Sequence, residues 1–292
     1  MFWSRLPVSL RAIVSGLVVA LVAANVWPFL LVSLGAPLAA ICEAIFLSLY
    51  IWWAAGGGPP HSTQHSRAFA FRRRALSPAQ WSWSIVAALF FAVTIHAAIV
   101  LLFRFVPFPK EAFCHGYDLA FIPSLPLKWL AVVVSAASAG ICEETGFRGY
   151  MQHPIEQRHG APIAILVSSL FFTLLHLNKT WATLGMVPVV FCAGVLLGLL
   201  AWSSGSLIPC MMGHVIMDIG LFAYWWTGVA GDFTARPITE TGIDLLFVFA
   251  CVVFAVSLLV VLHAISRLKR TKVTCLREGF DVARRNRSSK HR

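Results

Sequence analysis

The sequence predicts an all-α, polytopic membrane helical bundle of about eight transmembrane helices, and three observations lead there. Of 292 residues, 59% are hydrophobic and only 12% charged, whereas a soluble domain usually carries about 25% charged residues. The mean hydropathy is +0.78. The apolar residues also fall into runs of roughly 17 to 25 along almost the whole chain, each long enough to cross a bilayer. Length alone would allow about two soluble domains, but this pattern fits one helical membrane domain better.

The first apolar stretch runs from about Ala12 to Leu34, behind Arg5 and Arg11. The chain is apolar again from Pro37, so no cleavage site opens onto a polar chain, and the stretch reads as an anchoring span, not a signal peptide. Further spans are expected at about 38–55, 84–104, 129–157, 162–178, 184–202, 206–226 and 243–266, each near the length a bilayer requires. Between the second and third lies Gly56-Gly57-Gly58-Pro59-Pro60, followed by Arg72-Arg73-Arg74, a polar linker too rich in breakers and charge to be membrane-embedded.

The net charge of +11 is concentrated: ten of the 23 Lys and Arg fall between Arg267 and Arg292. That pattern suits a cytoplasmic tail beside anionic lipid. A nucleic-acid site would need a basic folded face with aromatics for stacking, and the chain has none. An eight-span count places Arg5, Arg11, Arg67, Arg72 to Arg74, Arg158 and the tail on one side, against Lys110, Lys128, Lys179 and Arg236 on the other. The asymmetry puts both termini in the cytoplasm. Seven scattered cysteines, Cys114 and Cys275 among them, contain no C-x-x-C pair and make neither a disulfide framework nor a zinc motif.

Ionisable residues inside spans carry the chemical signal, since each costs roughly 2.5–3.5 kcal/mol at a helix centre on insertion scales. Glu43 and His96 stand alone; Glu43 is expected to make a helix-to-helix hydrogen bond, and His96 to be structural. The others form three patterns. In Glu143-Glu144-Thr145-Gly146-Phe147-Arg148, Glu144 and Arg148 stand in the favourable order for an ion pair one turn apart. Glu143 points about 100° away from Glu144, so one acid is paired and the other left available as a general base. The preceding Ser135-Ala136-Ala137-Ser138-Ala139-Gly140 is small enough for close helix approach.

The second pattern is Phe172-Thr173-Leu174-Leu175-His176. Arg158-His159-Gly160-Ala161-Pro162 reads as a helix break, with Gly as a C-cap and Pro in a first turn. The midpoint between positions 143 and 176 falls at this break, so an antiparallel hairpin would set Glu143 and His176 face to face at equal depth. The third pattern is His214-Val215-Ile216-Met217-Asp218, with His214 and Asp218 on one helix face and His214 about 15 Å along the helix that follows Ser203-Ser204-Gly205.

Glu-Glu-x-x-x-Arg, Phe-x-x-x-His and His-x-x-x-Asp, in this order on three membrane helices, resemble the CPBP (ABI) family of intramembrane proteases, which includes the type II CAAX prenyl endopeptidases. The likeness covers roughly Leu127 to Tyr224, and the first three spans and the tail add only topology. The resemblance implies a membrane-embedded peptidase, in a bacterial plasma membrane, acting on a membrane-associated protein or peptide. It divides the chain into N-terminal helices with the basic linker (1–128), a catalytic membrane core (129–226), a last helix (243–266) and a basic tail (267–292).

By position, the resemblance makes Glu143 the activator of the hydrolytic water, with His176 orienting it or sharing its proton. Glu144 and Arg148 become a supporting pair, His214 and Asp218 the groups that polarise the scissile carbonyl, and Phe172 a substrate contact. Asparagine is common where this chain has Asp218, and a carboxylate donates only when protonated, so Asp218 could instead hold His214 in one tautomer. The family has been described both as metalloproteases and as metal-free glutamate-type enzymes. The metal-free reading is favoured here. The zinc alternative uses His176 and His214 with Glu143 or Asp218. Substrate and water are expected to reach a cavity among the fourth, fifth and seventh helices from the cytoplasmic side.

Other intramembrane protease chemistries lack their motifs: there is no H-E-x-x-H, no G-x-S-G and no G-x-G-D, and Gly231-Asp232 lies in an expected external loop. Two non-enzymatic alternatives remain. A proton-relay transporter also uses intramembrane Glu and His, but should show broken helices or internal symmetry. An immunity-type scaffold would not need the full Glu, His, His set.

Overall fold

The computed structural model describes residues 2–108, 118–177, 185–231 and 236–289, and the side chains of 3 and of 5–271 within those stretches. Lys110, Cys114, Lys179, Asp232, Lys290 and Arg292 lie outside the described residues, as do the side chains of Cys275 and the other tail residues beyond Thr271.

Helices stand at each of the eight expected positions. They are α1 (Val8–Ala24) running into α2 (Val26–Leu34), α3 (Ala36–Ala54), α4 (Pro78–Phe105), α5 (Leu125–Glu144) running on to α6 (His153–His159), α7 (Ala161–His176), α8 (Met186–Ser204), α9 (Ile208–Gly220) and α10 (Leu245–Ser289). Seven are long and apolar enough to cross a membrane; α7 is the exception, an apolar helix of 16 residues. Their outward faces are apolar: Val32 is 80% exposed and Phe29 70%. Surfaces of this kind suit lipid and not water. The chain is an integral membrane protein.

The sequence dictates the breaks. Ser77 caps α4, accepting from the Gln80 N–H while Gln80 reaches back to the Ser77 N–H, which satisfies two otherwise orphaned donors. Gly160, at φ 85°, closes α6 and its N–H bonds to Glu156 O, and Pro162 sits in the first turn of α7. Gly205 takes the left-handed conformation after α8, as helix C-termini favour.

Three features depart from expectation. The fourth span is not uniformly α-helical: residues Thr145–Gln152 form a π-helix between α5 and α6, and a second one, Leu221–Trp226, extends α9. Helix α10 continues past the expected boundary of the tail, its base held by Arg267 over the Trp83 ring at 5.2 Å and Lys269 over Trp202 at 4.8 Å. The basic linker is folded, with a 3-10 turn at His61–Thr63 leading into a short α-helix at Gln64–Ala70. Buried Arg67 donates to the carbonyls of Trp53, Gly57, Gly58 and Pro60, and Arg72 binds Glu156 and the Arg148 carbonyl. At the other end of the bundle Arg104 pairs with Asp244 at 2.9 Å. The backbone N–H of Phe247, followed by Arg104, holds the Asp244 carboxyl below its ordinary range.

The main core lies among α4, α8, α9 and α10, around Phe91, Ile99, Phe103, Leu197 and Leu200. Helix α1 packs on the π-helix, so the first span supports the motif region directly instead of only setting topology. Contact is closest at Gly146, where an added Cβ would sit 2.5 Å from both Gly16 O and the Ala20 Cβ. Overpacking of this kind costs about 1–3 kcal/mol. Gly146→Ala should therefore lower the thermal midpoint in detergent measurably, while Ala137→Gly, on the same span but outside this contact, should shift it less.

Candidate active site

Two polar layers meet where α5, α7 and α9 converge. In the inner layer Arg148 Nη1 donates to Glu144 Oε1 at 2.7 Å, and both side chains are wholly buried. His214 Nδ1 lies 2.9 Å from the same oxygen, and Asp218 Oδ2 lies 3.4 Å from His214 Nε2. The His214 ring thus stands between two carboxylates, an arrangement suited to an imidazolium donating at both ends. Arg148 also donates to Gly194 O at 3.1 Å and stacks over Phe172, 4.5 Å from the ring centroid.

The outer layer is Glu143 with His176. Glu143 Oε2 lies 4.0 Å from His176 Nε2, and the two side chains are 20% and 18% exposed. The separation exceeds a direct hydrogen bond and is of the kind that a water bridges. His176 Nδ1 donates to Phe172 O at 2.7 Å, which leaves the lone pair of a neutral ring on Nε2, toward Glu143. Glu143 Oε2 itself makes no hydrogen bond. Glu144 therefore has two cationic neighbours in direct contact, whereas Glu143, among the described residues, has the 4.0 Å approach of His176 and no Arg or Lys against it.

All seven residues singled out from the three motifs, Phe172 included, are brought together. The layers also border a partly open cavity of about 80 Å³, room for several waters at roughly 10–15 Å³ each. Its other walls are apolar. Beyond the expected helices it includes Ile95 and Ile99 of α4 and Met186 and Val190 of α8. Toward the basic ends of the helices the site is closed by Glu144–Arg148, Phe147, Leu197 and Leu200, all nearly or fully buried. The cavity extends the other way.

Glu43 departs from expectation as well. It is fully buried beside Ser138 and Cys142 of α5, yet neither oxygen meets a donor in bonding geometry. The Ser138 hydroxyl is the donor that approaches it, from the small-residue face of α5. His96 accepts from Trp225 Nε1 at 3.1 Å, a structural contact. The five cysteines described are free thiols. Among the described residues no three His, Cys, Asp or Glu side chains are grouped to hold a metal ion. Both His214 nitrogens face carboxylates, and His176 Nδ1 is held by a carbonyl with Nε2 turned toward Glu143.

Sequence reasoning missed a ladder on α8: Arg148 and Gln152, four apart, donate to the carbonyls of Gly194 and Gly198, also four apart. The small-x-x-x-small spacing at 194 and 198 is the signal that could have found it. Cys210, one turn before His214 and beside Glu144, was missed too.

Comparison with known proteins bears on this segment. Residues 123–220 match the sequence model of the family described as type II CAAX prenyl endopeptidase, Rce1-like. The chain is related to that family. The Rce1-like stretch covers roughly a third of the chain and contains Glu143, Glu144, Arg148, Phe172, His176, His214 and Asp218. No curated protein and no solved structure matches the chain.

Proposed function

We propose that the protein is an intramembrane endopeptidase that hydrolyses a peptide bond in a membrane-associated protein or peptide through a glutamate-activated water. The observation that carries this reading is the position of Glu143: a carboxylate with no Arg or Lys against it among the described residues, 4.0 Å from His176, at the edge of a cavity able to hold water. Glu143 takes a proton from water, and the resulting hydroxide attacks the scissile carbonyl. His214, held by Glu144 at Nδ1, turns its Nε2 proton from the long 3.4 Å contact with Asp218 onto the oxygen that gains charge. The C–N bond then breaks, and the amine leaves with the proton carried by Glu143 or His176. Glu144 and Arg148 act as positioning residues. Asp218 steadies His214 from the other side. In the same reading the basic tail lies against anionic lipid.

Mass-spectrometric identification of new N-termini in membranes from cells carrying the wild type or Glu143→Ala tests the proposal. A set of products present only with the wild type is expected, and identical sets would overturn the reading. Chelation provides a second check. Activity of the purified protein should survive a strong chelator; activity abolished by chelation and restored only by zinc would reverse the metal-free assignment.

A further inference from the structure

The catalytic layers have two sides, and the cavity lies on only one of them. On α8, which spans Met186–Ser204, every lining residue falls in the first half: Met186, Val189, Val190 and Ala193. On α9 and its π extension the lining runs from His214 outward to Trp226; on α7 it is confined to Phe172 and His176 in the last turns, and on α4 to Ile95 and Ile99 in the second half. All of these positions lie toward the same end of the bundle.

Contacts between helix ends establish which end that is. At one end Ser9 of α1 touches His159 at 2.8 Å, Trp83 of α4 meets Arg267 of α10, and Trp202 of α8 meets Lys269. This end carries exposed Arg5, Arg73, Arg158 and Arg270. At the other end Arg104 of α4 is neutralised by Asp244, and Trp27, Ala36 and Ile122 pack together. The cavity runs toward this second, weakly charged end. Helix α7 starts at the basic end and has 16 residues, so His176 lies at its far end, about 24 Å along the helix.

We propose that the site is loaded from the extracytoplasmic face, and that its substrate is an extended, apolar segment of a membrane-anchored or exported protein lying at the outer leaflet. Basic helix ends stay in the cytoplasm, which puts the closed floor of Glu144, Arg148, Phe147 and Leu200 on the cytoplasmic side and the apolar walls of Met186, Ile99 and Trp226 on the other. Those walls match apolar side chains, and Glu143 and Asp218 disfavour an acidic segment. The substrate class rests on the peptidase reading above; the direction of access does not.

Cysteine accessibility in the full-length chain separates the two. Met186→Cys, Val190→Cys and Arg158→Cys are each made in a chain whose native cysteines are replaced, and labelled with a membrane-impermeant maleimide in intact cells and in inverted vesicles. Met186→Cys or Val190→Cys should label several-fold faster in intact cells, and Arg158→Cys several-fold faster in inverted vesicles. Labelling of both cavity positions only in inverted vesicles, or of cavity and Arg158 positions from the same face, overturns the direction of access; two cavity positions are used so that one misfolded variant does not decide the result. Alkylation from outside should also abolish cleavage of the products identified above. Outside labelling with cleavage unchanged would overturn the substrate assignment while leaving the direction standing.

Discussion

Replacing Glu143 with Gln should lower single-turnover peptide cleavage about 10²–10⁴-fold, the range over which a positioned general base contributes. Glu144 is bound by Arg148 and His214, and Asp218 faces His214. Glu143 faces the cavity with no Arg or Lys against it among the described residues. Gln keeps the size of the side chain and its place beside His176, so folding and substrate affinity should be nearly unchanged and the loss should fall on turnover. Near-wild-type turnover in this variant would mean that another group activates the water. The companion substitution His176→Asn should lose less, because His176 meets the water from the far side and does not take the first proton in this scheme.

Glu143 and His176 were legible as a pair because a hairpin is a ruler. Gly160 and Pro162 mark the fold-back, and residues equally distant from a fold-back reach equal depth whatever packs around them. The Glu144–Arg148 pair was legible for a similar reason, since it is set by local helical spacing. The partnership of His214 with Glu144 was not. It depends on how far apart α5 and α9 lie, and that distance is set at Gly140, where an added Cβ would come 3.0 Å from the backbone N of Val215. A glycine read along one helix does not name the residue it admits from another. The π-helix at Thr145–Gln152 was illegible too, because a one-residue change in hydrogen-bond register leaves no mark in composition.

The side on which the cavity lies was beyond the sequence for a different reason. Apolar residues line both halves of every span, and hydropathy assigns them all to the membrane without separating those that touch lipid from those that border a gap. Met186 and Leu197 are equally apolar, yet one borders the cavity and the other seals the floor. Only the packing of α4 and α8 against α9 distinguishes them, and with it the face from which a substrate can arrive.

Arg148→Ala is expected to be the most destabilising single change in the protein. The guanidinium is wholly buried, and its loss strands Glu144 as a buried carboxylate with His214 and the Cys210 thiol beside it but no arginine; breaking one partner out of a buried pair costs on the order of 3–5 kcal/mol. It also removes the donor to Gly194 O and the cation stacked on Phe172. Taken alone, this loss would not tell a structural pair from one that serves catalysis. The double variant Glu144→Gln with Arg148→Met does, because removing both charges lifts the penalty of an unpaired ion. Its thermal midpoint should recover well above that of Arg148→Ala, a non-additivity that residues sharing one ion pair produce. Cleavage should not recover with it. His214 then has an amide in place of a carboxylate at Nδ1, so the charge that favours a doubly protonated ring is gone and the donor facing the scissile carbonyl is weakened. Recovery of both stability and turnover would assign Glu144 and Arg148 to the scaffold alone. Stability without turnover would place them behind His214, as the pair that makes it a donor.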